Sequence, residues 1–250
     1  RAAGQVARGR FGTPLAVRFK SDDSEVTDAD LEAERAAVTI IRAEHPHDPL
    51  LTGEHTAAAP AAGTPAAGRT WWVIDPIDGT RNFVRGIPAF AACVAVVRDG
   101  AVLAGAIYDV MLDTMTDVHA GGPVRLDGRP VTPPPRPDGR PLVAIPSMPV
   151  SGARQVVIRA VDRMVVRNFG SSALHLALVA RGLLDAVVLA KSKLWDVAAG
   201  WLMVRQAGGE VRRLDGTPLD ALRPEGYGGE DIPLVAGRTD VVAELLRTDG

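Results

Sequence analysis

The chain has 250 residues, 46% hydrophobic and 23% charged, enough for a sizeable core in one large α/β domain or in two smaller layers that share one. A formal net charge of −2 leaves no global positive field to draw in nucleic acid or an anionic membrane, and no apolar run approaches the length that crosses a bilayer. An anionic substrate must therefore be held locally, by a site rather than by the surface as a whole.

Ala2 to Phe11 reads as the tail of a helix, and nothing in it resembles a removable leader. Thr27-Asp28-Ala29-Asp30 has capping-box spacing, and Leu31, Ala37, Ile40 and Ile41 recur at helical intervals before Pro46, which predicts a helix over Asp28–Glu44. Leu50-Leu51-Thr52-Gly53-Glu54 comes next, then an Ala/Pro/Gly-rich surface loop from Thr56 to Gly68. Trp71-Trp72-Val73-Ile74 predicts a short buried strand. Ala91–Val97 and Val102–Tyr108 predict two more around the Arg98-Asp99-Gly100 turn, and Thr114–His119 completes an antiparallel meander. Cys93, the only cysteine, lies in an apolar run; it reads as a small core residue, excludes an internal disulfide and suits a reducing cytoplasm.

Gly121 to Pro141 is rich in proline and glycine and divides the chain into halves at 1–140 and 141–250. Beyond it, Ser171 opens a helix carrying Leu174, Leu178 and Val179 and ending at Gly182, Leu183–Ala190 follows as a strand, and Trp195–Ala207 is a second helix stopped by Gly208-Gly209. A strand at Leu234-Val235-Ala236 and a helix with Val241, Val242, Leu245 and Leu246 complete the chain. Antiparallel strands first and alternating elements later predict layered helices and sheets, with a site where the halves meet.

The sharpest signal is Trp72-Val73-Ile74-Asp75-Pro76-Ile77-Asp78-Gly79-Thr80, an apolar strand ending in two carboxylates separated by a proline and an isoleucine. Carboxylates held this close repel, so one takes up a proton or both bind a cation, and hard oxygen ligands at this spacing suit magnesium. Pro76 fixes φ and has no N–H, while Gly79 frees the backbone to turn the next amides toward an anion. A bare Asp-x-x-Asp reads as an ordinary Asx-type turn; the complete string at a strand end favours a metal site.

These residues resemble the inositol monophosphatase-like family of metal-dependent, often lithium-sensitive phosphatases. The likeness spans nearly the whole chain: Asp75 to Thr80 matches the central motif and Arg81-Asn82-Phe83 continues it. Gly53-Glu54 resembles the upstream acidic motif, and Trp195-Asp196-Val197-Ala198-Ala199-Gly200 the downstream one. The resemblance implies a layered αβαβα sandwich, with an antiparallel-rich N-terminal sheet and a smaller C-terminal α/β layer. It implies that Glu54, Asp75, the carbonyl oxygen of Ile77, Asp78 and Asp196 ligate two or three Mg2+ ions, Asp75 bridging two. Ile77, Asp78, Gly79 and Thr80 would face the phosphate, with amides from Gly79 and Thr80, and Gly170-Ser171-Ser172 with Asp196 would lie beside the leaving group. Thr80 with Asp30 resembles the pair that orients or deprotonates the attacking water, and Glu54 stands with them as a catalytic residue. Phosphomonoester hydrolysis independently needs a nucleophile at neutral pH and relief of charge on a developing alkoxide, which a metal pair supplies.

Some positions depart from the family pattern. His55 stands where a second acid is usual, which puts a third ion in doubt. Leu189 stands where inositol-specific members carry a sugar-binding glutamate, and His175 where a short polar residue is common. Lys191 and Lys193 read either as contacts to a second anionic group on the substrate or as solvated loop lysines. Asp30 also fits as the acid of a capping box, and Asp196 as a helix cap. His45 and His47 read as surface residues rather than zinc ligands, and the prolines between Thr132 and Pro137 as a connector.

The expectation is a magnesium-dependent phosphomonoesterase for inositol phosphate, histidinol phosphate or a related polyol or sugar phosphate. It is expected in the cytoplasm as a homodimer, with no nucleic-acid or membrane partner. The alternatives are a nucleotide or sugar bisphosphate phosphatase and, in another class, a catalytically weak regulatory protein that binds metal and phosphate.

Overall fold

The computed structural model of the chain describes residues 1–19, 25–54, 68–136, 138–147 and 151–247. His55, the loop residues 56–67 and Pro137 lie outside the described residues.

Helix α1 (Ala2–Arg10) is followed by the antiparallel pair β1 (Val17–Phe19) and β2 (Glu25–Thr27). Helix α2 spans Asp28–Glu44, the bounds that its sequence predicts. Thr27 Oγ1 accepts the Asp30 N–H, and the Asp30 carboxylate accepts the Thr27 N–H in return. Strand β3 (Leu50–Thr52) runs parallel to β4 (Thr70–Asp78), which leads into the short helix α3 (Thr80–Val84). Strands β5 (Ala91–Arg98), β6 (Ala101–Asp109) and β7 (Thr114–His119) continue from β4 as the expected antiparallel meander. Asp99 and Gly100 both take positive φ, the geometry an Asp-Gly hairpin turn requires.

Gly121 to Pro141 is more than a connection. Within it β8 (Arg125–Leu126) and β9 (Arg129–Pro130) form a hairpin that extends the sheet to seven strands, through a second positive-φ turn at Asp127-Gly128. Pro130 fits there because β9 is an edge strand and one side of its backbone needs no partner.

The second sheet takes its strands from the rest of the chain. In order come β10 (Leu142–Ala144), α4 (Arg154–Arg163), β11 (Val165–Arg167), α5 (Ser172–Ala180), β12 (Ala186–Leu189), α6 (Leu194–Gln206), β13 (Glu210–Arg213), β14 (Leu234–Gly237) and α7 (Thr239–Leu246). The strand order is β11-β10-β12-β14-β13, parallel across the first three and antiparallel at β14. The expected strand over Leu183–Ala190 is shorter at its start, because the Leu183 and Leu184 N–H groups turn back onto Leu178 O and close α5.

Helices α1 and α2 cover one face of the seven-stranded sheet, α5 and α6 fill the space between the sheets, and α4 and α7 cover the outer face of the second. This is the layered αβαβα arrangement. Its largest core lies in the middle layer, where Val73, Cys93 and Ala95 of the first sheet meet Leu176, Val197 and Met203 of the helices.

A bulge in β4 positions the site. Asp75 pairs with Cys93 and Asp78 with Ala91, so β4 carries one residue more than β5 over this span. On a regular strand, residues three apart point to opposite faces. The extra residue restores the phase, so Asp75 and Asp78 share the face of Cys93 and Ala91, toward α6, while Ile74 and Ile77 both enter the core against α2.

Candidate metal and phosphate site

Asp75 and Asp78 are both buried at the end of β4, and Asp196 reaches them from the first turn of α6. Carboxylate oxygens of the three lie within 4.8 Å of one another. Asp75 does form the Asx-type turn, its Oδ1 accepting the Ile77 N–H at 3.1 Å. That turn and the cluster coexist on the same carboxylate. Asp78 sits on the N-terminus of α5, its Oδ2 accepting the Ser171 hydroxyl and the Ala173 N–H at 2.9 Å. Asp196 Oδ2 accepts the Lys193 N–H at 2.7 Å, which fixes the carboxylate as a cap of its own helix.

Burial, followed by the charges of Asp196, Asp78 and Glu54, holds the Asp75 carboxyl well above the usual carboxylate range. Burial pushes Asp78 up to about 6, against the hydrogen bonds from Ser171 and Ala173. Burial and then the Asp78 charge push Asp196 up to about 7. Two buried acids and a half-buried third that destabilise one another, with oxygens within 4.8 Å, are the donor set a hard divalent cation neutralises. The residues therefore fit such an ion, with Asp75 central.

Around the cluster, Thr80 Oγ1 lies 2.9 Å from Ile77 O and 3.2 Å from Asp30 Oδ1. Asp30 is fully buried and divided in its work: Oδ2 accepts the Thr27 N–H and hydroxyl, completing the capping box, while Oδ1 faces Thr80. Gly79 caps α3 with φ of 98°, a left-handed conformation natural to glycine. Gly170 also takes positive φ, and Ser171 caps α5 by accepting the Leu174 N–H at 3.1 Å. Asp78, Gly79 and Thr80 from one half, with Gly170, Ser171, Ser172, Leu189, Lys191 and Asp196 from the other, line one cavity of about 280 Å³.

The sequence profile described as the inositol monophosphatase family matches residues 1–244. The chain belongs to that family. An inositol-1-monophosphatase of Mesorhizobium japonicum is 35% identical over 81% of this chain and 77% of its own. A protein of Xylella fastidiosa named Nus factor SuhB is 33% identical over 92% of this chain and 83% of its own. Among solved structures, the extragenic suppressor protein suhB of Bartonella henselae superposes with a TM-score of 0.83 at 28% identity, covering 98% of this chain and 93% of that one.

Within this inositol monophosphatase fold, the motif residues read from the sequence gather at one end of the middle layer. Asp75, Asp78 and Asp196 meet directly. Glu54, just beyond β3, is close enough for its charge to act on Asp75, although it is not one of the three within 4.8 Å. Lys191 is exposed, lines the cavity and makes no ion pair among the described residues. Lys193 is engaged elsewhere: its Nζ reaches Gly229 O at 2.7 Å and Asp231 at 3.0 Å. His45 packs against Trp72 and lies 3.7 Å from Asp48, away from the cluster.

Glu34 is the residue that reading the sequence missed. It is fully buried on α2 and its Oε2 accepts the Glu54 N–H at 3.1 Å. The available signal was its spacing, because residues four apart share a helix face and Glu34 follows Asp30 by four. His175 is also buried, and burial alone lowers its imidazole to about 4, so it stays neutral.

Proposed function

We propose that the chain is a magnesium-dependent phosphomonoesterase acting on a small polyol, sugar or amino-alcohol phosphate. The observation that carries this reading is the convergence of Asp75, Asp78 and Asp196 within 4.8 Å beside a cavity whose walls include two helix starts. Asp75, Asp78, Asp196, Glu54 and the Ile77 carbonyl would hold the ions. Bound there, magnesium would lower the pKa of a water and offset charge on the leaving oxygen.

The remaining work falls to the chain's own groups. The Gly79 and Thr80 amides at the start of α3 would bind phosphate oxygens. Thr80 Oγ1, within reach of both Ile77 O and Asp30 Oδ1, would present lone pairs to a water on the cavity side, and with its proton turned to Asp30 the pair would orient that water and draw off its proton. Gly170 and Ser172 would flank the leaving group, with Leu189 presenting an apolar wall to it. Ser171 serves this turn through Asp78, to which its hydroxyl donates. A homodimer in the cytoplasm belongs to the same reading, carried by the family resemblance.

Two other readings each have an observation behind them. Lys191, exposed on the cavity wall, favours a substrate with a second anionic group, such as a bisphosphate. The relative named Nus factor SuhB favours a regulatory protein with little turnover. Phosphate release from a panel of mono- and bisphosphates, with and without magnesium, separates them. Magnesium-dependent release from monophosphates supports the proposal, release confined to bisphosphates supports the second reading, and none from any substrate supports the third.

A further inference from the structure

The turn that begins α5 is tied to the phosphate-binding turn by a joint with little room. A Cβ on Gly79 would lie 3.3 Å from Gly170 O, and one on Gly170 would lie 2.5 Å from Asn82 Nδ2. Asn82, two residues after Thr80, therefore sits directly beneath Gly170. Its Nδ2 donates to Phe169 O at 2.6 Å and to Ala89 O at 2.7 Å, joining three chain segments through one amide group. On the other side of Phe169, its N–H donates to His175 Nε2 at 2.9 Å. Phe169 is 37% exposed, and its ring lies 5.6 Å from that of His175.

We propose that Asn82 and His175 are positioning residues that hold Phe169 by both of its backbone polar groups and so set the Gly170–Ser172 turn against Asp78 and the substrate. The substrate part of this rests on the phosphomonoesterase reading above. Each residue acts through the turn rather than on a reacting atom. Asn82 contributes a donor that spans the two halves, so the water-orienting Thr80 and the leaving-group turn keep one spacing. His175 contributes an acceptor, which an imidazole offers only while uncharged, and its buried position keeps it uncharged. The clamp touches none of Asp75, Asp78 and Asp196 itself and meets the acid cluster only through the Ser171 and Ala173 donors to Asp78, so its loss should disturb substrate more than metal.

The test uses Asn82→Ala, the isosteric Asn82→Asp that replaces the donor by an acceptor, His175→Ala, and His175→Gln, which keeps an acceptor. In hydrogen exchange, peptides covering 168–174 should exchange about tenfold faster in both alanine variants and in Asn82→Asp, with β4 and α6 unchanged. With 2-glycerophosphate as the probe, KM should rise about tenfold while kcat stays within about threefold and half-saturating magnesium within about twofold. His175→Gln should recover most of both effects. Unaltered exchange at 168–174, an unchanged KM, or a glutamine variant as impaired as the alanine one overturns the proposal. If the parent hydrolyses no phosphomonoester, the functional reading fails, and the exchange result still decides whether the clamp exists.

Discussion

Asp78 Oδ2 accepts the hydroxyl of Ser171, ninety-three positions later in the chain, and this contact fastens the strand that carries the acidic motif to the helix whose first turn lines the cavity. A metal-ligand candidate and a helix cap are thus one hydrogen-bonded unit. Ser171→Ala should remove one of two donors to Asp78 Oδ2 and lower kcat/KM about tenfold, with a smaller effect on melting temperature. Steady-state kinetics beside thermal unfolding would check it, and a large loss of stability with normal kcat/KM would count against the role.

Asp75→Asn should reduce phosphate release at least about a thousandfold, because the central carboxylate is lost from the metal set. The fold should survive and the metal-free protein should gain stability, since a neutral amide ends the repulsion with Asp78 and Asp196. Activity within a few-fold of the parent, measured at saturating magnesium, would remove Asp75 from the mechanism.

The acid cluster also sets a pH dependence. Asp78 and Asp196 are raised from 3.8 to about 6 and about 7, so between pH 4 and pH 7 the folded state holds protons that the unfolded state has released. Without metal, stability should therefore fall as pH rises through this window, with the raised Asp75 carboxyl contributing in the same direction. Millimolar magnesium should flatten the fall by neutralising the ionised cluster. Thermal unfolding from pH 4.5 to 8, with EDTA and with magnesium, tests both signs.

Thr80→Val keeps shape and removes the hydroxyl that bridges Ile77 O and Asp30 Oδ1. In this variant kcat should fall about a hundredfold or more, with KM and half-saturating magnesium little changed. A rise in KM with normal kcat would instead make Thr80 a substrate-binding residue.

Glu34→Met removes the acceptor of the Glu54 N–H, whereas Glu34→Gln retains one. Half-saturating magnesium should rise about five- to tenfold in the first and stay within about twofold in the second. Equal effects from both would show that the charge of Glu34 matters rather than its bond to Glu54.

Much of this arrangement is legible in local patterns. Helix α2 is legible because its cap and apolar spacing lie within one segment, and the meander because an Asp-Gly turn and alternating β-formers mark it. The acidic motif is visible because Asp-Pro-Ile-Asp-Gly-Thr concentrates unusual residues at a strand end. Helix α4 is harder to read, since Val156, Val157, Ile158 and Val161 are β-branched and fit strand as well as helix. The bulge that turns Asp75 and Asp78 to one face exists only in the pairing with β5. Glu34 escapes notice because its partner is a backbone group 20 positions away, and Asn82, read as a continuation of the acidic motif, gives no sign in the sequence of its bond to a carbonyl 87 positions away.

The most direct test is anomalous diffraction from crystals soaked in manganese as a stand-in for magnesium, with inorganic phosphate present. Anomalous peaks bonded to the carboxylates of Asp75, Asp78 and Asp196 are expected, with phosphate beside the amides of Gly79 and Thr80. Carboxylates that stay apart with no anomalous peak between them, at metal concentrations that saturate known sites, would contradict the metal-site reading.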